Sequence, residues 1–298
     1  MTKKLCIIVD GYSTGRQYAS LLNQKSYNCL HIQSSMQLPT FITSEMTPSD
    51  YCATYIHNED DFQSTLQWII SHGYPEFIIP GSDTATVLCD KLSDALKLTL
   101  KNPLASSQAR RDKFEMGERI KNCGLIGIKQ LKAKNFNDIT SWIKEEGVEF
   151  PLVVKPLKSG SGEGFRFCRN IREVELAFFE LLGQKDLFNQ VNEALLIQEY
   201  IQGDEYVINT VSCAGQHLVS EFGIYQKKIN EQGNSIYQSL QFFPRNFDKS
   251  RELKKYAFAI LDALDIHYGP SHMEVMWTHK GPILIEVGAR PVGGGSGS

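Results

Sequence analysis

Leu5-Cys-Ile-Ile-Val9 is an uninterrupted apolar run closed by Asp10-Gly11. After Ser13-Thr-Gly-Arg16 the apolar positions take the helical spacing of Tyr18, Leu21 and Leu22. A strand, a loop and a helix in that order open an α/β unit. Asn28 to Gln33 predicts a second strand. Asp60 to Ser71, with Phe62, Leu66, Trp68, Ile69 and Ile70, predicts a helix. Glu76-Phe-Ile-Ile-Pro80 reads as a third strand ending at Gly81-Ser-Asp83, followed by a helix over Thr84 to Leu98. Such alternation predicts a doubly wound, Rossmann-like parallel sheet over residues 1–105.

From Ser106 the pattern changes. A charged helix is expected over Arg110 to Cys123, a strand over Ile126 to Leu131 and a helix over Asp138 to Glu146. Phe150-Pro-Leu-Val-Val-Lys-Pro156 then predicts a strand bounded by prolines. The glycine-rich turn Ser159-Gly-Ser-Gly-Glu-Gly164 leads to a returning strand, Phe165 to Cys168, and a helix over Ile171 to Leu182. This is a smaller α+β unit, residues 106–197. The last block, 198–298, is entered along Glu193 to Ile201. It carries expected strands at Glu205 to Ser212, His217 to Tyr225, Met273 to Trp277 and Pro282 to Val287, with one long helix over Lys249 to Leu264.

Composition narrows the possibilities. With 31 Lys and Arg against 34 Asp and Glu, the net charge of -3 supplies no bulk field for nucleic acid or an anionic membrane. Recognition of charge must therefore sit in specific pockets. Seven cysteines without a CxxC pair suit neither a disulfide framework nor a zinc site, and are expected to be buried thiols of a reducing compartment. The first apolar run is too short for a signal peptide and no stretch reaches the length of a membrane span, so a cytoplasmic protein is expected.

The candidate chemistry starts at Ser159, Gly160, Ser161, Gly162, Glu163 and Gly164. Glycines spaced in this way let backbone N–H groups converge on an anion, although a plain hairpin turn needs them equally. The loop joins two strands and opens no helix, so neither a Walker A nor a dinucleotide fingerprint fits. Lys155 shifts the balance: on a strand beside the loop, its ammonium can reach the same phosphates. Lys113, in Arg111-Asp-Lys113, offers another cation.

Met273-Glu-Val-Met-Trp277 and Pro282-Ile-Leu-Ile-Glu-Val287 flank Thr278-His-Lys-Gly281 and read as an antiparallel hairpin. Counted back from the turn, Glu274 falls opposite Glu286 or within one residue of it. Two carboxylates facing each other among apolar residues need raised pKa values or a shared cation. Oxygen ligands select a hard ion, magnesium, with manganese as the alternative, and such an ion arrives with nucleotide phosphates.

In this order the features resemble the ATP-grasp superfamily, from about residue 76 to the end: two separated lysines, a glycine loop after the second, Gln198-Glu-Tyr-Ile201, Gly203-Asp-Glu205, and a Glu pair twelve residues apart followed by Gly288 and Arg290. Gly269-Pro-Ser-His-Met-Glu274 and Glu286-Val-Gly-Ala-Arg290 look most like the branch of L-amino acid ligases and carnosine-synthase-like enzymes. The resemblance implies a pre-ATP-grasp domain followed by a two-subdomain ATP-grasp fold. It implies an enzyme that phosphorylates a carboxylate with ATP and joins the acyl phosphate to an amine, both substrates being small molecules and amino acids in that branch. It also implies roles. Lys113, Lys155 and the loop Ser159 to Gly164 would hold the phosphates. Glu199, Tyr200 and Ile201 would line the adenine site and Glu205 would meet the ribose. Glu274 and Glu286 would hold magnesium, and Arg290 would contact the transferring phosphoryl group. A bicarbonate- or formate-activating relative and a catalytically incomplete ATP-binding module are the competing readings, and a homodimer is left open.

Two positions depart from the resembled pattern or divide its reading. Gly288 stands where most of the superfamily has an Asn that ligates the second metal ion. His272 admits two readings, a basic residue near the substrate carboxylate or a cap on its strand. Val9 to Arg16 is weighed toward a structural turn over substrate contact, and Lys227-Lys228 with Asn230 to Ser239 toward a solvated loop. The tail, Pro291-Val-Gly-Gly-Gly-Ser-Gly-Ser298, follows so closely on Arg290 that the chain is expected to be a fragment, with relatives continuing past it.

Overall fold

A computed structural model describes residues 3–160, 162–231, 233 and 235–293 of the chain. Its first unit runs β1 (Lys4–Val9), α1 (Gln17–Gln24), β2 (Tyr27–Gln33), α2 (Thr40–Thr43), β3 (Ala53–Ile56), α3 (Phe62–His72), β4 (Ile78–Pro80) and α4 (Thr86–Ala95). The strands form a parallel sheet in the order β3-β2-β1-β4. β1 is central, and Cys6 to Val9 are fully buried, which is why they read as a continuous apolar run. β3 is a strand that the hydrophobic pattern does not reveal. It lies at the sheet edge and its residues alternate between partly buried and exposed, so no apolar run marks it. Asp61 stops α3 at its start, its side chain accepting from the Ser64 N–H.

The second unit contains α5 (Lys113–Asn122), β5 (Gln130–Ala133), α6 (Phe136–Glu145), β6 (Leu152–Pro156), β7 (Arg166–Cys168), α7 (Ile171–Leu181) and β8 (Leu195–Glu199). Its antiparallel sheet has the order β5-β8-β6-β7. Strand periodicity sorts its residues: Leu152, Val154, Leu195 and Ile197 pack under α6 and α7, while Val153, Lys155 and Gln198 line a cavity.

Two expectations change here. The helix starts at Lys113 and not at Arg110, because Asp112 caps it, accepting from Phe114 and Glu115 N–H. Arg110 precedes it, buried, and ties Asp90 to the carbonyls of Pro103 and Leu264. The strand expected from Ile126 begins only at Gln130, and Ile126 is exposed.

The third unit contains β9 (Asp204–Cys213), β10 (Gln216–Ile229), β11 (Ser235–Phe243), α8 (Ser250–Ala263), β12 (Gly269–Thr278) and β13 (Gly281–Gly288). These strands make an antiparallel sheet in the order β11-β10-β9-β12-β13. One face packs Ile208, Met273, Val275 and Val287 against Leu253, Ala257, Ile260 and Leu261 of α8 and against Met116 and Ile120 of α5. The loop expected over Asn230 to Ser239 is in part strand β11. Among the described residues that strand hydrogen-bonds only to β10, and it is largely exposed, so its sequence stays polar.

The cysteines also divide. Cys6, Cys29, Cys89 and Cys168 are buried, but Cys52, Cys123 and Cys213 are exposed. All are free thiols. No helix among the described residues is long and apolar enough to cross a membrane.

Candidate active site

A cavity of about 290 Å3 lies between the second and third sheets, lined on one side by Val153, Lys155 and Gln198 and on the other by Glu205, Lys227, Glu274 and Glu286. Glu274 and Glu286 are register partners on β12 and β13. A bulge follows immediately, Val275 pairing with Leu284, so that β13 carries one extra residue. Its effect is visible in the packing: Leu284 and Val287 both enter the core, while Ile285 and Glu286 both line the cavity.

The cations stand opposite. Lys155 is buried at the end of β6 and, among the described residues, its ammonium makes no hydrogen bond or ion pair. Burial, reinforced by the charge of Lys113, pushes its ammonium down to about 8. Lys113, at the first position of α5, donates to the Ser159 carbonyl at 2.7 Å and meets Glu286 at 3.1 Å. It therefore links the glycine loop to the carboxylate pair.

Lys227 is a site residue that its polar sequence context concealed. It reaches from β10 to pair with Glu205 and, at 3.6 Å, with Glu274, and its ammonium faces the rings of Tyr237 and Tyr225. Glu205 and Glu274 are buried neighbours and share these partners. Burial and the Glu274 charge push Glu205 up. Glu274, despite the opposing effect of burial, is held down by Lys227 and His272.

His272 lies inside β12, paired with Asn209 and Gly288, so it does not cap the strand. Its Nδ1 contacts Asn209 Oδ1 at 2.7 Å, and its Nε2 faces Glu274 at 3.6 Å.

The other singled-out residues separate into two groups. Ser159, Gly162, Glu163, Glu199, Tyr200 and Ile201 line the cavity. Gly160, Gly164, His272 and Arg290 do not, and Ser161 lies outside the described residues, as do Gly294 to Ser298. Gly162 and Gly164 both have positive φ, but a side chain at 164 would strike Pro156 at 2.7 Å, so that glycine serves packing of the loop on β6. Glu163 accepts from the Leu187 N–H, anchoring the loop to the segment before β8.

Arg290 reaches back to the first unit, where Nη2 and Nε both donate to Oδ2 of Asp83, at 2.6 and 2.8 Å. Burial alone would raise the Asp83 carboxyl, but Arg290 and Arg111 reverse the effect and hold it at about 2. Asp83 also accounts for Gly288. A Cβ there would lie 2.9 Å from Asp83 Oδ1 and 3.3 Å from the Arg290 guanidinium. The space that a longer side chain would need is already filled by the ion pair.

Asp10, at the carboxyl end of β1, is fully buried and accepts from the Ser34 N–H, the Ser34 hydroxyl and the Thr84 hydroxyl. These bonds tie the ends of β1, β2 and β4 together, a structural task. They also fix Thr84, the residue after Asp83.

The ATP-grasp domain model matches residues 148–298. Over 292 residues the chain is 30% identical to dapdiamide A synthase of Enterobacter agglomerans, covering 98% of this chain and 68% of that protein. It is 24% identical over 215 residues to the D-alanine–D-alanine ligase of Listeria welshimeri, covering 69% of this chain and 56% of that one. The L-amino acid ligase of Bacillus licheniformis has the same fold, with a TM-score of 0.76 at 19% identity over 97% of this chain and 69% of that one. With the glycine loop, the paired lysines and the opposed glutamates in one cleft between two antiparallel sheets, the chain belongs to the ATP-grasp family.

Proposed function

We propose that this ATP-grasp ligase phosphorylates the carboxylate of an amino acid and joins the resulting acyl phosphate to the amine of another, with release of ADP and phosphate. The observation that carries the reading is Lys155. An ammonium buried without a partner, facing two opposed carboxylates across a cavity, needs a ligand that is anionic on the lysine side and brings a cation to the carboxylate side. A nucleoside triphosphate with its metal ion has that polarity.

The residues fit both. Glu274 and Glu286 supply oxygen ligands only, and among the described residues no group of three acidic, His or Cys side chains forms a metal cage. A pair of carboxylates short of a full cage suits magnesium, which keeps phosphate oxygens in its shell. When bound, the ion would neutralise charge on the transferring phosphoryl group.

The chain's own groups do the rest. Lys113 and Lys155 hold phosphate oxygens, the loop residues Ser159, Gly162 and Glu163 that line the cavity cover them, and the run Glu199 to Ile201 presents its main chain to the base. Arg290, held by Asp83, presents its remaining N–H groups where charge develops as the carboxylate oxygen attacks phosphorus. Lys227 keeps Glu205 and Glu274 from repelling each other, leaving Glu205 beside the sugar. The 30% identity to dapdiamide A synthase supports an amide product.

The test is ADP release with ATP, magnesium and pairs of amino acids. Release that depends on two amino acids supports the reading, and Glu286→Gln abolishes it while leaving the fold intact. Release that depends on bicarbonate, or ATP binding without turnover under any pair, overturns it.

A further inference from the structure

A second cavity, about 720 Å3, is lined by residues of the first unit together with Gln108, Arg111, Lys158, Phe188 and Gln190, and shares no lining residue with the first cavity. Arg111 forms part of its wall. This side chain is only 8% exposed, and its Nη2 is buried without a hydrogen-bond partner. Among the described residues its guanidinium makes no hydrogen bond or ion pair. It lies over the face of Phe188 at 5.8 Å. A guanidinium stays protonated even when burial disfavours its charge; here burial outweighs the favourable charges of Asp83, Asp186 and Glu286, and an anion in the cavity would offset the desolvation cost that remains.

None of these three carboxylates comes within ion-pair distance of it. Asp83 is close enough for Arg111 to help hold its carboxyl down, but its Oδ2 is committed to Arg290. Thr84, next in sequence, lines the cavity, so the space reaches the neighbourhood of the Arg290 pair. Elsewhere the wall carries the apolar Leu38, Phe62, Leu88 and Leu104, and the charged groups Lys91, Lys158, Glu59 and Asp94 also line it.

We propose that this cavity receives the amine substrate, an α-amino acid with an apolar side chain, and that Arg111 binds its carboxylate through the planar fork of the guanidinium. The inference rests on the ligase reading above and adds to it a specificity residue and a substrate class. Fixing the carboxylate on Arg111 leaves the α-amine free to face the acyl phosphate beside Arg290. The bond formed is C–N, the bond broken is C–O to phosphate, and phosphate leaves with the electron pair. The amine proton passes to solvent or phosphate. An amine lacking the carboxylate loses the Arg111 contact, so the site discriminates an amino acid from its amide.

The experiment is calorimetric titration of L-leucine, L-valine and L-phenylalanine, and of the three corresponding amides, into the intact protein saturated with magnesium and a non-hydrolysable ATP analogue. At least one free acid is expected to bind about tenfold to a hundredfold more tightly than its amide, the range of a charge-assisted pair. R111Q is expected to bring that ratio near one. R111K, which keeps the charge but not the fork, is expected to restore it in part. Leu104→Trp, a change at a half-exposed wall position, is expected to weaken acid and amide alike and guards against misfolding of the Arg111 variants.

Equal binding of acid and amide by the unaltered protein, a ratio unchanged in R111Q, or no binding by any of the six overturns the proposal. R111Q weakening the ATP analogue while the ratio persists overturns it too, by assigning Arg111 to the phosphates. Failure of the ligase reading is separate: it shows as absent ADP release with amino acid pairs, whatever the titrations give.

Discussion

Asp83 and Arg290 lie 207 residues apart and meet through two hydrogen bonds on one carboxylate oxygen, at 2.8 and 2.6 Å. The pair joins the loop after β4 of the first unit to the end of β13 in the third. It makes the amino-terminal sheet a support for the cleft, since the residue proposed to meet the transferring phosphoryl group is aimed by an acid from another unit.

Asp83→Asn keeps the shape and removes the charge. The expected result is a kcat for ADP release lower by about tenfold to a hundredfold, the range for one charge-assisted interaction, with KM for ATP little changed. Steady-state kinetics on the two proteins decide it, and a change confined to KM would show that Asp83 does not position Arg290 for the chemical step.

Gly288→Ala is expected to act through the same pair. The added methyl lies 2.9 Å from Asp83 Oδ1, closer than such contacts occur, so Asp83 or Arg290 must shift. Reduced kcat is expected together with destabilisation of about 1–3 kcal/mol, the usual cost of overpacking. Combined with Asp83→Ala, which empties the space, the same methyl should cost little, and the double-mutant cycle reads that coupling.

Lys155 predicts opposite pH trends for binding and stability. Its pKa falls from 10.5 in the unfolded chain to about 8 in the fold. Below pH 8 both states carry the proton and the fold bears the whole cost of the buried charge. Between pH 8 and 10.5 the folded group has released its proton while the unfolded one keeps it, so this group's contribution makes the ligand-free protein more stable as pH rises. Affinity for an ATP analogue should fall over the same interval, because phosphate is held by the protonated form. Lys155→Met should stabilise the ligand-free protein near pH 7 by an amount on the order of 2–3 kcal/mol and abolish analogue binding. Denaturant titrations at several pH values, with and without the analogue, test both trends.

Arg110 is the stability counterpart. It is buried and holds Asp90 at 2.8 Å and the carbonyls of Pro103 and Leu264 at 2.6 and 2.9 Å, joining the first unit to the end of α8. Arg110→Ala leaves Asp90 buried without its counter-charge, and a loss of about 3–5 kcal/mol is expected. A loss under about 1 kcal/mol in a urea titration would assign the join between units to other contacts.

Periodicity carried much of the architecture. The buried run Leu5–Val9, the hairpin of Met273 and Glu286, and the glycine loop between β6 and β7 each follow from local spacing, because each element buries one face or is buried on both. Lys113, Lys155, Glu274 and Glu286 were legible as candidates for the same reason. Charged residues at inward positions of apolar strands, or next to a cap, stand out against their neighbours. Elements at sheet edges did not stand out: β3 and β11 are exposed on much of their surface, and nothing in their composition requires burial.

What the chain order alone determined is therefore which residues face inward on each element, since that depends on spacing within a few residues. The partners across elements were decided only by the tertiary structure. Lys227 reads as one of two lysines in a polar stretch until the β10 register brings it between Glu205 and Glu274. Arg290 reads as the end of a motif until Asp83 takes hold of it, and Gly288 as a departure from a pattern until that same acid fills the space beside it. These are contacts between residues tens to hundreds of positions apart. Hydrophobic periodicity does not encode them, because they arise from how three sheets pack against one another and not from the pattern along any one of them.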